Sequence, residues 1–272
     1  MTHGPISSPD DPRLDPFRGL RTSERRFLRP PPAGTREIPC FVAEGGLVVA
    51  RALAAGCAPQ AILVDAAERD GLAWASAPGL PVHVADLALI RQVTGLGVVR
   101  EAIGVFARPV ERPMATLIAH ARRVLVLEGV ANPANLGVII RSAAALGVDA
   151  TLCDASCSDP LYRRAVRGSM GAVLTHPWAR LDAMPGGVDP LRQAGFAIVA
   201  LVTDPDAGPL EVAVRDAGLR VALMLGAEGH GISPAGRAAA DRQATIPMHP
   251  GVDSLNVGAA AAIACYLLAN VR

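Results

Sequence analysis

IPMHPGVDSLNVGAAAAIACYLL, residues 246–268, divides into two halves of opposite character. The first is polar and turn-rich, with Pro247, Pro250, Gly251, Asp253, Ser254 and Asn256, while the second is an almost uninterrupted run of small apolar residues from Val257. A loop therefore opens directly into a helix. Asn256 or Ser254 can cap that helix by accepting from a backbone N–H that the first turn leaves without an intrahelical partner. Backbone N–H groups and short polar side chains then converge at one point, which suits a polar or anionic ligand. Taken alone, the stretch fits an ordinary capped core helix equally well, and what decides between the two lies upstream.

From Arg123 onward the chain alternates apolar strands with helices. VLVLEG reads as a strand, VIIRSAAALG as a helix ending at Gly147, and DATLCD as a strand. SDPLYRRAVRGSMGA gives a helix with Pro160 near its start, followed by strands in VLTHPW, FAIVALVTD, LRVALMLG and QATIPM. Near-continuous apolar strands separated by helices predict an α/β fold with a parallel sheet covered on both faces. Ligands in such sheets sit beyond the carboxyl ends of the strands.

A smaller α/β/α module is predicted over residues 16–107. FVAEGGLVVARALAAG reads as a turn that continues into a helix ending at Gly56, ADLALIRQVTG as a second helix, and Ala61–Asp65, Pro81–Ala85 and Gly104–Arg108 as strands. Residues 108–120, with Pro109 and Pro113, read as a linker to a second domain at 121–272. Residues 1–15 are rich in Pro, Asp and Ser and are predicted to be disordered. Arg18, Arg21, Arg25, Arg26, Arg29 and Arg36 then crowd one short segment. Arg18, Arg21 and Arg25 have the spacing of one helix face, which gives either anchors for RNA phosphates or a solvated face partly neutralised by Glu24 and Glu37.

Composition narrows the chemistry. The 272 residues are 51% hydrophobic and 19% charged, which describes a globular protein with a substantial core. The longest apolar run, Val257–Leu268, is shorter than the roughly 18–20 residues needed to span a bilayer. The N-terminus has no basic head followed by an apolar segment, so a cytoplasmic location is expected. All 26 basic residues are arginine, which excludes Schiff bases, a P-loop lysine and a kinase-type strand lysine. Cys40, Cys57, Cys153, Cys157 and Cys265 form no CxxC pair and show no zinc-ligand spacing with histidine, so free thiols are expected. With a net charge of +1, any nucleic-acid footprint must be a local patch. No G-x-G-x-x-G follows a first strand.

Three loops that leave strand ends carry the informative sequence. In EGVANPANLGVIIRSAAALG, Asn132, Asn135, Gly137 and Arg141 put Asn135 at the start of a helix and Arg141 about two turns along it. An arginine buried on that apolar helix would be costly without an anion to meet it. In LMLGAEGHGIS, Gly226, Gly229 and Gly231 let the backbone approach a ligand closely. The third loop is the stretch from Ile246.

In this order the loops resemble the three motifs of the SpoU/TrmH family of S-adenosylmethionine-dependent RNA 2′-O-ribose methyltransferases, of the SPOUT class. The matching residues are Asn135, Gly137 and Arg141, then Gly226, Glu228, Gly229 and Gly231, then Ile246, Pro247, Met248, Ser254, Leu255, Asn256 and Val257. RGSMGA, Arg167 to Ala172, is similar to the family's segment between the first two motifs. The match covers about residues 108–272. More loosely, the front module resembles a ribosomal-protein-like domain that binds substrate RNA.

The resemblance implies a trefoil knot formed by the last helix and an obligate homodimer with two composite sites; methyl transfer from a sulfonium is a displacement that requires no metal in principle. It implies that Leu225, Gly226, Ala227, Glu228, Gly229, Ile246, Pro247, Met248, Ser254, Leu255 and Asn256 hold S-adenosylmethionine. Family accounts make the motif-one arginine a general base, but a pKa above about 12 makes a neutral guanidine costly. Arg141 is therefore expected to clamp a phosphate and stabilise the developing alkoxide, with the proton leaving to an RNA phosphate, water or Glu228. Asn135, Ser254 and Asn256 are expected to orient ribose and donor. Arg163, Arg164 and Arg167 form a helix face that either meets RNA phosphates or is solvated. His230 and His249 sit in site loops and titrate near neutrality, but the motif requires neither. The substrate implied by the front domain is ribosomal RNA, ahead of transfer RNA; a catalytically inactive RNA-binding protein of the same fold is the remaining alternative.

Overall fold

The structure, a computed structural model, describes residues 4–21 and 38–270. In chain order the first half contains β1 (Cys40–Glu44), α1 (Gly46–Ala54), β2 (Pro59–Asp65), β3 (Val82–Ala85), α2 (Leu87–Thr94), β4 (Ala102–Ala107), α3 (Met114–His120), β5 (Arg123–Leu127) and α4 (Pro133–Ala145). Then follow β6 (Ala150–Cys153), α5 (Arg163–Gly168), β7 (Trp178–Arg180), α6 (Asp189–Gln193), β8 (Ala197–Leu201), β9 (Gly208–Pro209), α7 (Leu210–Arg215), β10 (Val221–Leu225), α8 (Pro234–Ala238), β11 (Arg242–Thr245) and α9 (Val257–Asn270). The chain divides into two compact units: Met1–Val110 with Leu161–Leu174, and Glu111–Pro160 with Thr175–Arg272.

The first unit has a four-stranded sheet in the order β1-β4-β2-β3, with β4 antiparallel to both neighbours and β3 parallel to β2. FVAE is strand rather than turn. All five residues of β1 are buried, and Phe41 stacks on its cross-strand partner Phe106 with ring centroids 5.5 Å apart. The turn falls one residue later, at Gly45, whose φ of +100° suits glycine. The N-terminus also departs from the expected disorder. Ile6 donates its N–H to Val84 O, and a 3-10 turn over Pro12–Phe17 buries Leu14 and Phe17 in the core with Leu89, Ile90 and Val93. Three apolar side chains in a polar segment suffice to hold it down.

The second unit is built on a seven-stranded sheet in the order β7-β6-β5-β10-β8-β11-β9, and every ladder in it is parallel, as the apolar strands predict. Alternate residues of four strands, among them Val124, Val126, Leu152, Ile198, Ala200, Ala222 and Met224, form one core layer with Ile118 of α3 and Leu191 of α6. Helices α4 and α9 pack on each other. Their approach depends on small residues: a Cβ added at Gly258 would stand 3.0 Å from Val138 Cγ1.

Two local readings need correction. The segment expected to be a linker holds α3, which starts after Pro113 and buries Ile118. In VLTHPW only the tryptophan is strand. Pro177 has no N–H to donate and instead accepts from Thr151 N, so the ladder with β6 begins at Trp178. Among the described residues no helix is long and apolar enough to cross a membrane.

Candidate active site

In the second unit β5 and β10 are sheet neighbours although β6 through β9 separate them in sequence: from β5 the chain runs outward through β6 to β7, then crosses to build the other side of the sheet. Such a reversal of strand order leaves a crevice beyond the carboxyl ends of the strands. All three loops singled out in the sequence leave strands there, after Leu127, Leu225 and Thr245.

In the first loop Asn132 caps α4 by accepting from Ala134 N at 2.9 Å, and Pro133 takes the first helical position. The loop is braced from behind by the turn after β6. Asp154 Oδ1 accepts from Gly129 N at 3.1 Å, and Cys157 Sγ accepts from Val130 N. Burial pushes the Asp154 carboxyl up, but hydrogen bonds from Ser156, Gly129 and Cys157 outweigh it and hold the group below its ordinary value. The neighbouring Cys157 thiol is pushed up by its hydrogen bond with Cys153 and by burial, so it stays a neutral brace.

The second loop closes on itself. Ala227 and Gly231 exchange both backbone hydrogen bonds, at 3.2 and 3.0 Å, and hold Glu228, Gly229 and His230 at the tip. A Cβ added at Gly226 would lie 2.1 Å from the carbonyl carbon of Gly231, so only glycine permits the closure. The first two loops are tied together by Glu128, whose carboxylate accepts from Ser233 N at 2.9 Å and from Ser233 Oγ at 2.6 Å. Ser233 in turn caps α8 by accepting from Gly236 N.

The third loop ends at Asn256, whose Oδ1 accepts from Gly258 N at 2.9 Å. Of the two caps the sequence allowed, Asn256 is the one that forms. Its Nδ2 donates to Asn135 Oδ1 at 3.3 Å, and Asn135 Nδ2 donates to Glu228 Oε1 at 2.6 Å. One side chain from each loop thus enters a single hydrogen-bonded chain.

A cavity of about 480 Å³ lies beside this chain. Of the residues expected to hold a methyl donor, Leu225, Gly226, Ala227, Glu228, Gly229, Ile246, Met248, Ser254, Leu255 and Asn256 all line it, whereas Pro247 is not among its lining residues. Leu201, Val202, Thr203, His230, Arg237 and Asp253 also line it. Leucine and isoleucine walls beside a glycine loop with exposed backbone groups suit a flat apolar ring carrying polar edges, and the volume is that of a small-molecule site. Among the described residues no cluster of three His, Cys, Asp or Glu is placed to hold a metal ion.

Arg141 is not buried. Leu136, Gly137, Ile139, Ile140 and Ala143 are the buried residues of α4, and the helical period brings Arg141 out with Ala134 and Val138 on the exposed stripe. It does not line the cavity of its own chain.

The arginines expected on an RNA-facing surface also divide. In the first unit Arg163 is buried and ion-pairs with Glu44, while Arg167 reaches the other oxygen of that carboxylate at 3.0 Å. Of the three arginines on α5, Arg164 is the exposed one. Arg18 pairs with Asp15 at 2.8 Å beyond the end of the 3-10 turn, and Arg21 is exposed, so no helical face joins them. Arg25 and Arg26 lie outside the described residues.

Sequence reasoning missed Glu128, Asp154, Ser233 and Arg237. Ser233-Pro234 carries a local signal, a cap residue before a proline at the first helical position. The partners of Glu128 and Asp154 are set by the sheet order and leave no local signal.

Residues 122–266 match the model of the SpoU rRNA methylase family. The chain is 40% identical over 266 residues to an uncharacterized tRNA/rRNA methyltransferase of Mycobacterium tuberculosis, covering 96% of this chain and 90% of the relative. It is 31% identical over 231 residues to the 23S rRNA (guanosine-2′-O-)-methyltransferase of Bordetella pertussis, covering 80% and 92%. Among solved structures it is similar to the AdoMet-bound rRNA methyltransferase of Sinorhizobium meliloti, with a TM-score of 0.77, 25% identity and 97% of each chain covered.

Proposed function

The chain belongs to the SpoU rRNA methylase family, and on that premise we propose that it transfers a methyl group from S-adenosylmethionine to a ribose 2′-hydroxyl of RNA, with ribosomal RNA as the substrate and the cytoplasm as the place. The observation that carries this reading is that the second and third strand-end loops line one cavity, with Asn135 of the first loop hydrogen-bonded to Glu228 and Asn256 on its wall. The bound donor supplies an electrophilic methyl on a sulfonium. Everything else falls to the protein's own groups: to hold donor and ribose in line, exclude water and stabilise the oxygen that loses its proton.

Leu225, Ile246 and Leu255 enclose the donor's adenine, and the backbone of Gly226 to Gly229 binds its polar edges. Asn135 stands between Glu228 and Asn256 with both ends of its amide engaged, so its orientation is set before any ligand arrives. It and Ser254 orient the ribose. Glu228 faces the same point and is placed to receive a proton. Arg141 clamps an RNA phosphate and stabilises the alkoxide, from a position outside the cavity of its own chain.

That position favours a homodimer in which Arg141 serves a composite site. Val138 on α4, 42% exposed, and Ile263 and Tyr266 on α9, 39% and 58% exposed, present apolar surface to solvent in the single chain. A second copy covering this surface places Arg141 beside its partner's cavity. The trefoil threading of the last helix belongs to the same reading.

The test is Arg141→Ala, with 2′-O-methyl nucleotides mapped in ribosomal and transfer RNA from cells carrying wild type, variant or neither. Methylation at a ribosomal position should vanish with the variant, while its affinity for the donor stays within about fivefold of wild type, because a phosphate clamp adds nothing to donor binding. Full methylation by the variant would remove Arg141 from the mechanism. A lost transfer-RNA site instead would overturn the substrate assignment.

A further inference from the structure

The cavity carries one residue of fixed positive charge, and neither the motifs nor the mechanism above uses it. Arg237 stands in the last turn of α8 and lines the cavity beside the glycine loop. Its Nε donates to Ile232 O at 3.2 Å, and its Nη2 lies 3.8 Å from where a Cβ on Gly231 would be. One edge of the guanidinium is therefore spent on the backbone and the plane is held against the loop. The two terminal nitrogens keep their donors for something else.

Several other arginines take carboxylates as partners, Arg13 with Asp11, Arg163 and Arg167 with Glu44, Arg180 with Asp159 and Arg192 with Asp189, while Arg51, Arg220 and Arg242 donate from their terminal or Nε nitrogens to backbone carbonyls. Arg237 forms no ion pair among the described residues, although Glu228 and Asp253 line the same cavity. Glu228 is turned to Asn135 instead. A half-buried cation among apolar walls calls for an anion, and a guanidinium with two parallel N–H donors is shaped for a carboxylate.

We propose that Arg237 binds the carboxylate of the amino-acid end of the methyl donor. This rests on the donor assignment made above. The apolar walls take the adenine, and the charged tail of the same molecule then runs toward the one cationic wall. Arg237 acts in binding and alignment: with the tail anchored, the sulfonium between tail and nucleoside has a fixed place.

The experiment is calorimetric titration of the full-length protein and its Arg237→Gln variant with two ligands, S-adenosylhomocysteine and 5′-methylthioadenosine. Both carry the nucleoside and a thioether, but only the first has the carboxylate. The variant should lose about ten- to hundredfold in affinity for S-adenosylhomocysteine, the range expected for hydrogen bonds to a charged group. Its affinity for 5′-methylthioadenosine should be unchanged. An equal loss for both ligands would mean that Arg237 merely supports the loop, and would overturn the proposal. So would unchanged affinity for both, whether or not RNA affinity fell in a gel-shift assay; such a fall would give the guanidinium to an RNA phosphate. Failure of the wild type to bind S-adenosylhomocysteine would instead strike at the donor assignment itself.

Discussion

His176 gives the clearest prediction of how the methyltransferase unit responds to acid. The side chain is buried, 7% exposed, in the segment leading to β7, with Nε2 2.9 Å from Thr151 Oγ1 on β6. Burial pushes its pKa down from 6.5 to about 4, against a weaker upward pull from Asp149. The folded protein therefore holds the imidazole neutral at pH values where the unfolded chain protonates it. The unfolded state binds more protons, so stability falls as pH drops from about 6.5 and the loss levels off near pH 4. A shift of this size corresponds to about 2 kcal/mol lost by pH 5 and about 3 kcal/mol by pH 4. For a chain of this length, 2 kcal/mol lowers the midpoint of thermal unfolding by about 4–8 °C. The measurement is urea denaturation at pH 7 and pH 5 for wild type and His176→Gln. Glutamine cannot titrate but can still hydrogen-bond Thr151, and the carboxylates common to both proteins cancel in the comparison. The wild type should lose about 2 kcal/mol more than the variant between the two pH values. Equal losses would show that His176 takes up no extra proton on unfolding, and the reasoning would fail.

Two further substitutions probe the site and the front unit. Gly226→Ala puts a methyl group 2.1 Å from the Gly231 carbonyl carbon and must open the loop that presents Glu228; overpacking of about 1–3 kcal/mol should cost ten- to hundredfold in calorimetric affinity for S-adenosylhomocysteine, and unaltered affinity would take this loop out of the pocket. Glu44→Gln leaves Arg163 buried opposite a neutral amide and Arg167 without its carboxylate; loss of about 3–5 kcal/mol in denaturant unfolding is expected, and a change under about 1 kcal/mol would show the pair to be replaceable.

How much of this the sequence revealed depends on the distance over which each feature is decided. The parallel sheet was legible because strands buried on both faces must be apolar throughout, as in Val221–Leu225, where all five residues are buried. The glycine loop and a cap at Asn256 or Ser254 were legible because both are decided within a few residues, and the fold selects Asn256. Arg141 was misplaced because an apolar helix suggests burial all round, whereas α4 leaves Ala134, Val138 and Arg141 outside. The apolar Val138 concealed the exposed stripe. Arg163 was misjudged in the opposite sense: three arginines within five residues look solvated until Glu44, more than a hundred positions away, is brought to them by the fold. The N-terminal segment looked disordered by composition, yet Ile6, Leu14 and Phe17 suffice to dock it.

These errors bear on how the site divides its labour. Bonds between loops, from Glu128 to Ser233, Asp154 to Gly129 and Asn135 to Glu228 and Asn256, join residues of one chain across sheet neighbours. They hold the proposed donor pocket in shape, which displacement at a methyl group requires, since misalignment of about 1 Å costs roughly a hundredfold in rate. Arg141 shares none of these bonds. It projects from an exposed stripe shared with Val138, so in the proposed dimer its alignment comes from the copy that covers Val138, Ile263 and Tyr266. In the proposed dimer the pocket is assembled by folding and the phosphate clamp by association. On this proposal the chain binds the donor alone and acts on RNA only as a pair.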